Sequence, residues 1–172
     1  MVTREDLDVV MKDRVEVEDD NPSGVSCRQT EVTSVKKTIF AVIAGIVVQL
    51  VGLFFIHAVW LKQDYLETAG LWRTPEAVRA RGWAMLLGTV IYVIGVVLIY
   101  VRGREAKPWI GQGVRFGILL AMVATVYASL SGWAILPLPH LLVLKWIIGE
   151  SLLAVLLGVV VAGICQSAKP IA

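Results

Sequence analysis

Cysteine and histidine are scarce in this chain, with two of each among its 172 residues. Two cysteines are too few for a disulfide framework of the kind that stabilises small secreted domains. The sequence also lacks the GxSxG, HExxH, Walker and Rossmann motifs that are typical of several large enzyme classes. Its lysines and arginines are spread over several loops and form no single basic stripe. We therefore predict a protein that is not an enzyme, carries no cofactor and binds no nucleic acid.

Long hydrophobic runs are the main feature that the sequence does contain. The chain is 57% hydrophobic and has a mean hydropathy of +0.74, which is typical of membrane proteins. At about 1.5 Å per residue, four apolar runs are long enough to cross a hydrocarbon core of about 30 Å. The proline-rich turn at 136–140 is short, so the last two runs must be antiparallel. The sequence thus predicts an all-α integral membrane four-helix up-and-down bundle over residues 36–168, with spans at 38–61, 83–101, 113–134 and 141–164.

The first 35 residues differ in character from the rest of the chain. Residues 1–37 hold nine acids and six bases, a net charge of −3, so the total of +2 leaves +5 for the remainder. The polar stretch 19–24 (DDNPSG) should interrupt any helix that precedes it. We expect residues 1–35 to be a disordered acidic tail. No apolar segment suits a cleaved signal peptide here. An alternative explanation is an over-long gene start covering residues 1–32.

The positions of the basic residues predict the orientation of the spans. With the N-terminus inside, eleven lysines and arginines are cytoplasmic and five lie outside. Cytoplasmic loops of membrane proteins are enriched in these residues. We therefore expect a multi-pass protein of the inner (plasma) membrane with both termini in the cytoplasm.

One acid, Glu150, lies well inside the fourth apolar run. Intramembrane acids are costly and by default indicate a function or a partner. Counting helical rise from the start of each span predicts a polar layer near the midplane. It comprises Glu150, Gln49 and Tyr92, with Thr89, Thr125 and Ser151 within about a turn. A carboxylic acid in apolar surroundings can exchange protons near neutral pH, which would suit proton- or ion-linked transport. Alternatively, Glu150 bonds to Gln49 or Tyr92 and only specifies helix packing.

The two histidines suggest a different kind of site. His57 ends the first span and His140 begins the fourth, so both should lie near the outer leaflet. Paired imidazoles can ligate haem iron or copper. The sequence offers no third ligand for a metal, and His57 and His140 remain candidate ligands only.

Glycine spacing predicts where helices approach closely. Small residues on one face of a transmembrane helix let neighbouring backbones come together. Pairs seven or four residues apart occur in three spans: Gly45 and Gly52, Gly88 and Gly95, and Gly113 and Gly117. We expect these pairs to serve packing within the chain.

Several short strings resemble a group of small four-span bacterial membrane proteins of unknown function. They are 56–61 (IHAVWL) with Tyr65, 71–73 (LWR), 111–117 (GQGVRFG) and 137–139 (PLP). The resemblance extends from about residue 37 to the C-terminus and omits the tail. It implies a four-helix bundle in the inner membrane and brings no activity or functional residue with it.

Three functions follow as hypotheses. The first is a non-enzymatic accessory or structural subunit of a membrane assembly, whose partners are the lipid bilayer and either other membrane subunits or further copies of the chain. The second is a small proton- or ion-linked transporter component that uses Glu150. The third is a haem- or metal-binding redox protein that uses His57 and His140.

Overall fold

The structure is a computed structural model that describes the backbone of residues 22–105 and 107–166, and side chains from residue 35 onward. The chain divides into two units, Met1–Lys36 and Lys37–Ala172. Within the described residues all regular secondary structure is helical. The described part of the first unit belongs to a helix that begins at Pro22.

Between residues 22 and 166, the described residues form seven α-helices joined by short segments that are not α-helical. They are α1 (Pro22–Leu53), α2 (Lys62–Glu67), α3 (Pro75–Arg79), α4 (Gly82–Gly103), α5 (Trp109–Leu120), α6 (Tyr127–Ile135) and α7 (His140–Cys165). Two π-helical segments prolong them: Phe54–Trp60 continues α1, and Ala121–Val126 joins α5 to α6. A 3₁₀ turn, Ala69–Leu71, lies in the loop after α2.

Four of these helical stretches are long and apolar enough to cross a membrane. They are span 1 (Val35–Trp60), span 2 (Gly82–Gly103), span 3 (Trp109–Ile135) and span 4 (His140–Cys165). Each of them agrees with a predicted span to within a few residues. The boundaries follow local chemistry, because proline cannot continue a helix. Pro108 precedes span 3, and Pro137 and Pro139 separate span 3 from span 4.

The start of α1 differs from the sequence prediction. Residues 22–35 were expected to belong to a disordered tail, whereas the structure has them in helix. Proline suits the first helical position because its φ angle is already helical and its missing N–H would have no partner there. Extending a helix that already exists is also much easier than nucleating one. The predicted disorder of residues 1–21 lies outside the described residues.

Among the described residues, span 4 contributes more buried apolar side chains than any other span. In its C-terminal half, Leu157 and Val161 are fully buried beside Val93 and Val97 of span 2, and Ala41 of span 1 completes the cluster. A second cluster forms around its N-terminal half. It contains Ile56, Leu61, Leu142 and Leu153.

Glycines allow spans 3 and 4 to pack backbone against backbone. A Cβ atom built on Gly113 would lie 2.7 Å from Cα of Val159, and one on Gly117 would lie 2.4 Å from Cα of Val155. Gly158 meets both glycines from the other side. The expected packing of the GxxxG pair within the chain is therefore observed. No side chain larger than hydrogen fits at these positions without moving a backbone.

The glycine prediction holds for span 1 and is wrong for span 2. Cβ atoms on Gly45 and Gly52 would meet side chains of Val93 and Leu153 at 2.8 and 2.2 Å. Around Gly88 and Gly95, by contrast, no atom of the described residues lies within 4 Å of such a position. The same spacing thus occurs on a packed face and on an open one, because spacing defines a helix face and not what covers it.

Side-chain contacts connect the other spans to the two ends of span 4. At its C-terminal end, Arg104 donates to the carbonyl of Cys165 at 2.6 Å, and Lys37 donates to that of Gln166 at 3.2 Å. These bonds satisfy carbonyls that a helix end leaves without partners. At its N-terminal end, Nζ of Lys145 lies 2.7 and 2.9 Å from the carboxylate oxygens of Asp64. The loop after span 1 is held there.

Candidate functional site

A polar cavity lies between the four spans. Its volume is about 240 Å³. Residues from every span line it: Gln49, Gly88, Thr89, Tyr92, Ala124, Thr125, Glu150 and Ala154. Carboxylate, amide and hydroxyl groups thus share one space with three small residues.

Five of the six residues predicted to form a polar layer line this cavity. Gln49, Thr89, Tyr92, Thr125 and Glu150 converge there, although they come from four different helices. Ser151 is not among the lining residues that the structure describes. It follows Glu150 directly, and one residue along an α-helix turns a side chain by about 100°.

Glu150 contacts His57, which the count of helical rise along span 1 places near the outer leaflet. Its Oε1 atom lies 3.3 Å from Nε2 of His57, and the two side chains are 29% and 32% exposed. The expected hydrogen bond to Gln49 or Tyr92 is not formed. The Oε1 atom of Gln49 is buried and has no hydrogen-bond partner among the described residues. The polar layer therefore includes His57, which had been assigned to the outer leaflet.

A hydrogen-bonded chain continues from His57 into the loop after span 1. Nδ1 of His57 lies 2.6 Å from the hydroxyl of Tyr65, and Nε1 of Trp146 donates to the same hydroxyl at 2.9 Å. An indole N–H can only donate. Tyr65 therefore accepts from Trp146, which leaves its proton and its other lone pair for His57. A carboxylate can only accept, so a neutral His57 that bonds to Glu150 carries its proton on Nε2, and Tyr65 then donates to Nδ1.

Tyr65 stays protonated across the physiological pH range. Burial raises the pKa of its hydroxyl to about 12, and the nearby carboxylates of Glu150 and Asp64 act in the same direction. The hydrogen bond from Trp146 opposes this by stabilising the phenolate. Because the hydroxyl keeps its proton, it remains a donor to His57.

Aromatic packing and an ion pair hold the chain in place. The rings of Tyr65, Trp72 and Trp146 contact one another with centroids 5.4 to 6.4 Å apart. Asp64, the residue directly before Tyr65, pairs with Lys145, the residue directly before Trp146, and both side chains are largely shielded from solvent. The loop is thus fixed to span 4 by neighbouring residues on each side of the contact.

Both π-helical segments border the site. His57 lies in Phe54–Trp60, while Ala124 and Thr125 lie in Ala121–Val126. A π-helix bonds residue i to residue i+5, so it changes the direction in which the following side chains point. Such segments occur frequently at functional sites. Here they bring side chains from two different spans to the cavity and to Glu150.

Sequence reasoning missed Tyr65 and Trp146 as parts of the site. One signal was available, because Trp146 and Glu150 are four residues apart and so share a face of span 4. No comparable signal identified Tyr65, since it lies beyond the end of span 1 and contacts His57 only through the fold of the loop.

The two histidines have separate surroundings. The exposed ring of His140 packs edge-on against Trp133, with centroids 5.2 Å apart. It also lines a second, mainly apolar cavity of about 220 Å³. His57 instead contacts Glu150 and Tyr65. In the part of the chain that the structure describes, no group of three or more His, Cys, Asp or Glu side chains is arranged to hold a metal ion. The haem or metal hypothesis gains no support from this geometry.

The site can hold and pass on a proton. Glu150 faces the cavity with its carboxyl group and contacts His57, so one carboxylate links the cavity to a chain of three further donors and acceptors. Comparison with protein-family models, curated proteins and solved structures gives no match for this chain.

Proposed function

We propose that this chain is a multi-pass membrane protein that moves protons through Glu150 and His57 as a component of proton-linked transport. One observation carries the proposal: Glu150 both lines the cavity and contacts the imidazole of His57. Intramembrane carboxylates paired with histidine are the groups from which proton relays are built. This function deepens the second of the three hypotheses drawn from the sequence.

Contacts at the two ends of span 4 support an up-and-down arrangement in the bilayer. The beginning of span 1 and the end of span 2 contact the end of span 4 through Lys37 and Arg104. The end of span 1 lies near the beginning of span 4, since Asp64, in the loop after span 1, pairs with Lys145. With most lysines and arginines at the end that holds Lys37, the positive-inside rule favours cytoplasmic N- and C-termini in the inner membrane. The resemblance to small four-span bacterial proteins stays a prediction consistent with this arrangement.

The hydrogen-bond directions define one transfer step. A proton that reaches Nδ1 of His57 converts the ring to imidazolium, whose Nε2–H lies beside Glu150. Transfer of the Nε2 proton to Oε1 leaves a neutral ring with its proton on Nδ1 and a neutral carboxylic acid at the cavity. When Glu150 releases that proton into the cavity, the ring is left as its Nδ1–H tautomer, and it must exchange this proton for one on Nε2 before a second transfer can follow. One proton has then crossed from the loop side of Glu150 to the cavity side.

Proton flux into liposomes tests this function. The purified protein is reconstituted with a pH-sensitive dye inside, and a pH gradient is imposed with the membrane potential clamped. We expect Glu150→Gln and His57→Gln to lower the flux at least tenfold. Glu67→Gln is the matched control, because Glu67 is an exposed acid outside the four spans. Equal flux from wild type and Glu150→Gln would show that protons do not pass through this site.

The surface of span 2 favours a second function, as an accessory subunit of a membrane assembly. The six consecutive residues 83–88 are all exposed. Six residues turn through more than a full circle of an α-helix, so every face of this segment carries an exposed residue. A photo-reactive amino acid at Leu86 should crosslink to a discrete protein in native membranes. The same group at Leu119, an exposed position of span 3, should not, and identical patterns from both positions would contradict this function.

A further inference from the structure

We propose that the cavity binds a small primary ammonium ion, and that this ion exchanges with the proton of Glu150. The inference rests on the proposed function of Glu150 as a proton-exchanging group, and it adds the chemical class of the substrate. It is argued from the charge, the hydrogen-bonding capacity and the volume of the cavity.

The charge of the lining favours a cation. Glu150 supplies a carboxylate, and none of the lining residues is lysine, arginine or histidine. His57 contacts the carboxylate without lining the cavity. An anion would therefore meet an acid with no compensating base, whereas a cation would compensate the carboxylate in a region of low dielectric constant.

The lining offers acceptor oxygens on Glu150, Thr89 and Gln49, beside the hydroxyls of Tyr92 and Thr125, which can also donate. Thr89 uses its hydroxyl proton to donate to the carbonyl of Met85 at 3.0 Å, so its oxygen offers lone pairs to the cavity. The buried Oε1 atom of Gln49 is an acceptor without a partner among the described residues. A buried acceptor left in this state costs about 1–3 kcal/mol. An ammonium group has three N–H donors, which suit the acceptor oxygens of Glu150 and Thr89 in the lining.

The volume of the cavity favours an organic ion over a bare metal ion. A water molecule occupies about 30 Å³ of the liquid, so a cavity of about 240 Å³ has room for roughly eight groups of that size. A metal cation with oxygen ligands needs a close cage, at about 2.3–2.6 Å for calcium. Gly88, Ala124 and Ala154 instead leave room for a short apolar chain beside the charged group.

Binding is linked to proton release. The groups that face Glu150 are His57 and Gln49 from span 1, Tyr65 from the loop and Tyr92 from span 2, with the Lys145–Asp64 pair farther along span 4. None of them holds a free positive charge when His57 is neutral. A protonated Glu150 must therefore lose its proton before it pairs with an ammonium ion, one proton for each ion bound.

Titration with propylammonium chloride tests the inference on the full-length protein in detergent, with Trp fluorescence and calorimetry as readouts. We expect saturable binding, release of about one proton per ion in weakly buffered solution, and at least tenfold weaker binding of tetramethylammonium, which has no N–H donor. Ala124→Leu should abolish binding by filling the cavity. Ala128→Leu, at an exposed position one turn along span 3, is the matched control and should bind as wild type does.

The outcomes separate this inference from the proposed function. Proton flux that depends on Glu150 together with no saturable propylammonium binding overturns the inference and leaves the function intact. Sodium binding as tightly as propylammonium, or binding without proton release, also overturns it. If Ala124→Leu fails to fold, Glu150→Gln takes its place: loss of binding in a monodisperse Glu150→Gln protein supports the inference, and unchanged binding contradicts it.

Discussion

At the scale of single residues, the hydroxyl of Tyr65 connects Trp146 to His57 by hydrogen bonds. Trp146 donates to it, and because the carboxylate of Glu150 accepts from Nε2 of His57, the Tyr65 proton is directed to Nδ1. A phenylalanine at position 65 would fill the same space but would leave both His57 Nδ1 and the indole N–H without a partner. The phenol hydroxyl therefore supplies hydrogen bonds to His57 and Trp146 in addition to the packing of its ring.

The pKa of Tyr65 gives the first prediction. Because its pKa is about 12 in the folded protein and about 10 in an unfolded chain, the folded state holds this proton more tightly. The stability that Tyr65 contributes is fully present below pH 10 and is lost as the pH rises from 10 to 12. Ultraviolet titration of tyrosinate, with Tyr65→Phe subtracted, should show one group that titrates near pH 12.

A companion variant checks the cause of that shift. The carboxylate of Glu150 contributes to the raised pKa of Tyr65, so Glu150→Gln should make Tyr65 titrate at a lower pH than in the wild type. Burial is the larger cause, and the pKa should stay above that of free tyrosine. A Tyr65 titration at pH 10 in the wild type would mean that the hydroxyl is open to water.

At the scale of the helices, close packing of spans 3 and 4 depends on glycine. Gly117→Ala places a methyl group 2.4 Å from Cα of Val155, which the backbone must move to accommodate. Overpacking of this kind costs about 1–3 kcal/mol. Gly95→Ala is the matched control, because its Cβ meets no described atom within 4 Å. There the gain in helix propensity should stabilise by roughly 0.5–1 kcal/mol, and denaturant unfolding in detergent measures both. Equal effects from the two variants would contradict this packing.

The loop after span 1 is held by the ion pair of Asp64 and Lys145. Asp64→Asn leaves a partly buried ammonium group with a weaker partner and should lower stability by about 1–3 kcal/mol. It should also expose the loop to limited proteolysis. Glu76→Gln disrupts the exposed pair between Glu76 and Arg79, where about 0.2–1 kcal/mol is typical, and serves as the comparison. Proteolysis at the same rate in both variants would argue against the role of Asp64.

At the scale of the whole molecule, orientation in the membrane is open to a direct measurement. In a background with Cys27→Ser and Cys165→Ser, a cysteine is placed at Gln63 or at Glu105. With both termini cytoplasmic, an impermeant maleimide should label position 63 in intact cells, because it precedes span 2. Position 105 lies between spans 2 and 3 and should react only after permeabilisation. The reverse pattern would invert the proposed topology.

The sequence was sufficient for the four apolar helices and for most of the cavity lining. Hydropathy identifies the helices, and counting helical rise along each one brings together Gln49, Tyr92 and Glu150, which line the same cavity. The pairing of His57 with Glu150 was not predictable in this way. Counting a regular rise places His57 two turns beyond Gln49, and nothing in the residue pattern indicates the π-helical segment Phe54–Trp60 or the return of the loop to span 4.

The π-helical segments also affect how related sequences should be aligned. A π-helical turn holds one residue more than an α-helical turn, so each segment corresponds to a single-residue insertion in an otherwise regular helix. Removing one of residues 54–56 would restore the α-helix and turn His57 by about 100° relative to the earlier part of span 1. His57 would then face away from Glu150. A single-residue gap at 54–60 or 121–126 in an aligned homologue would thus mark the loss of this site, even where Glu150 itself is retained.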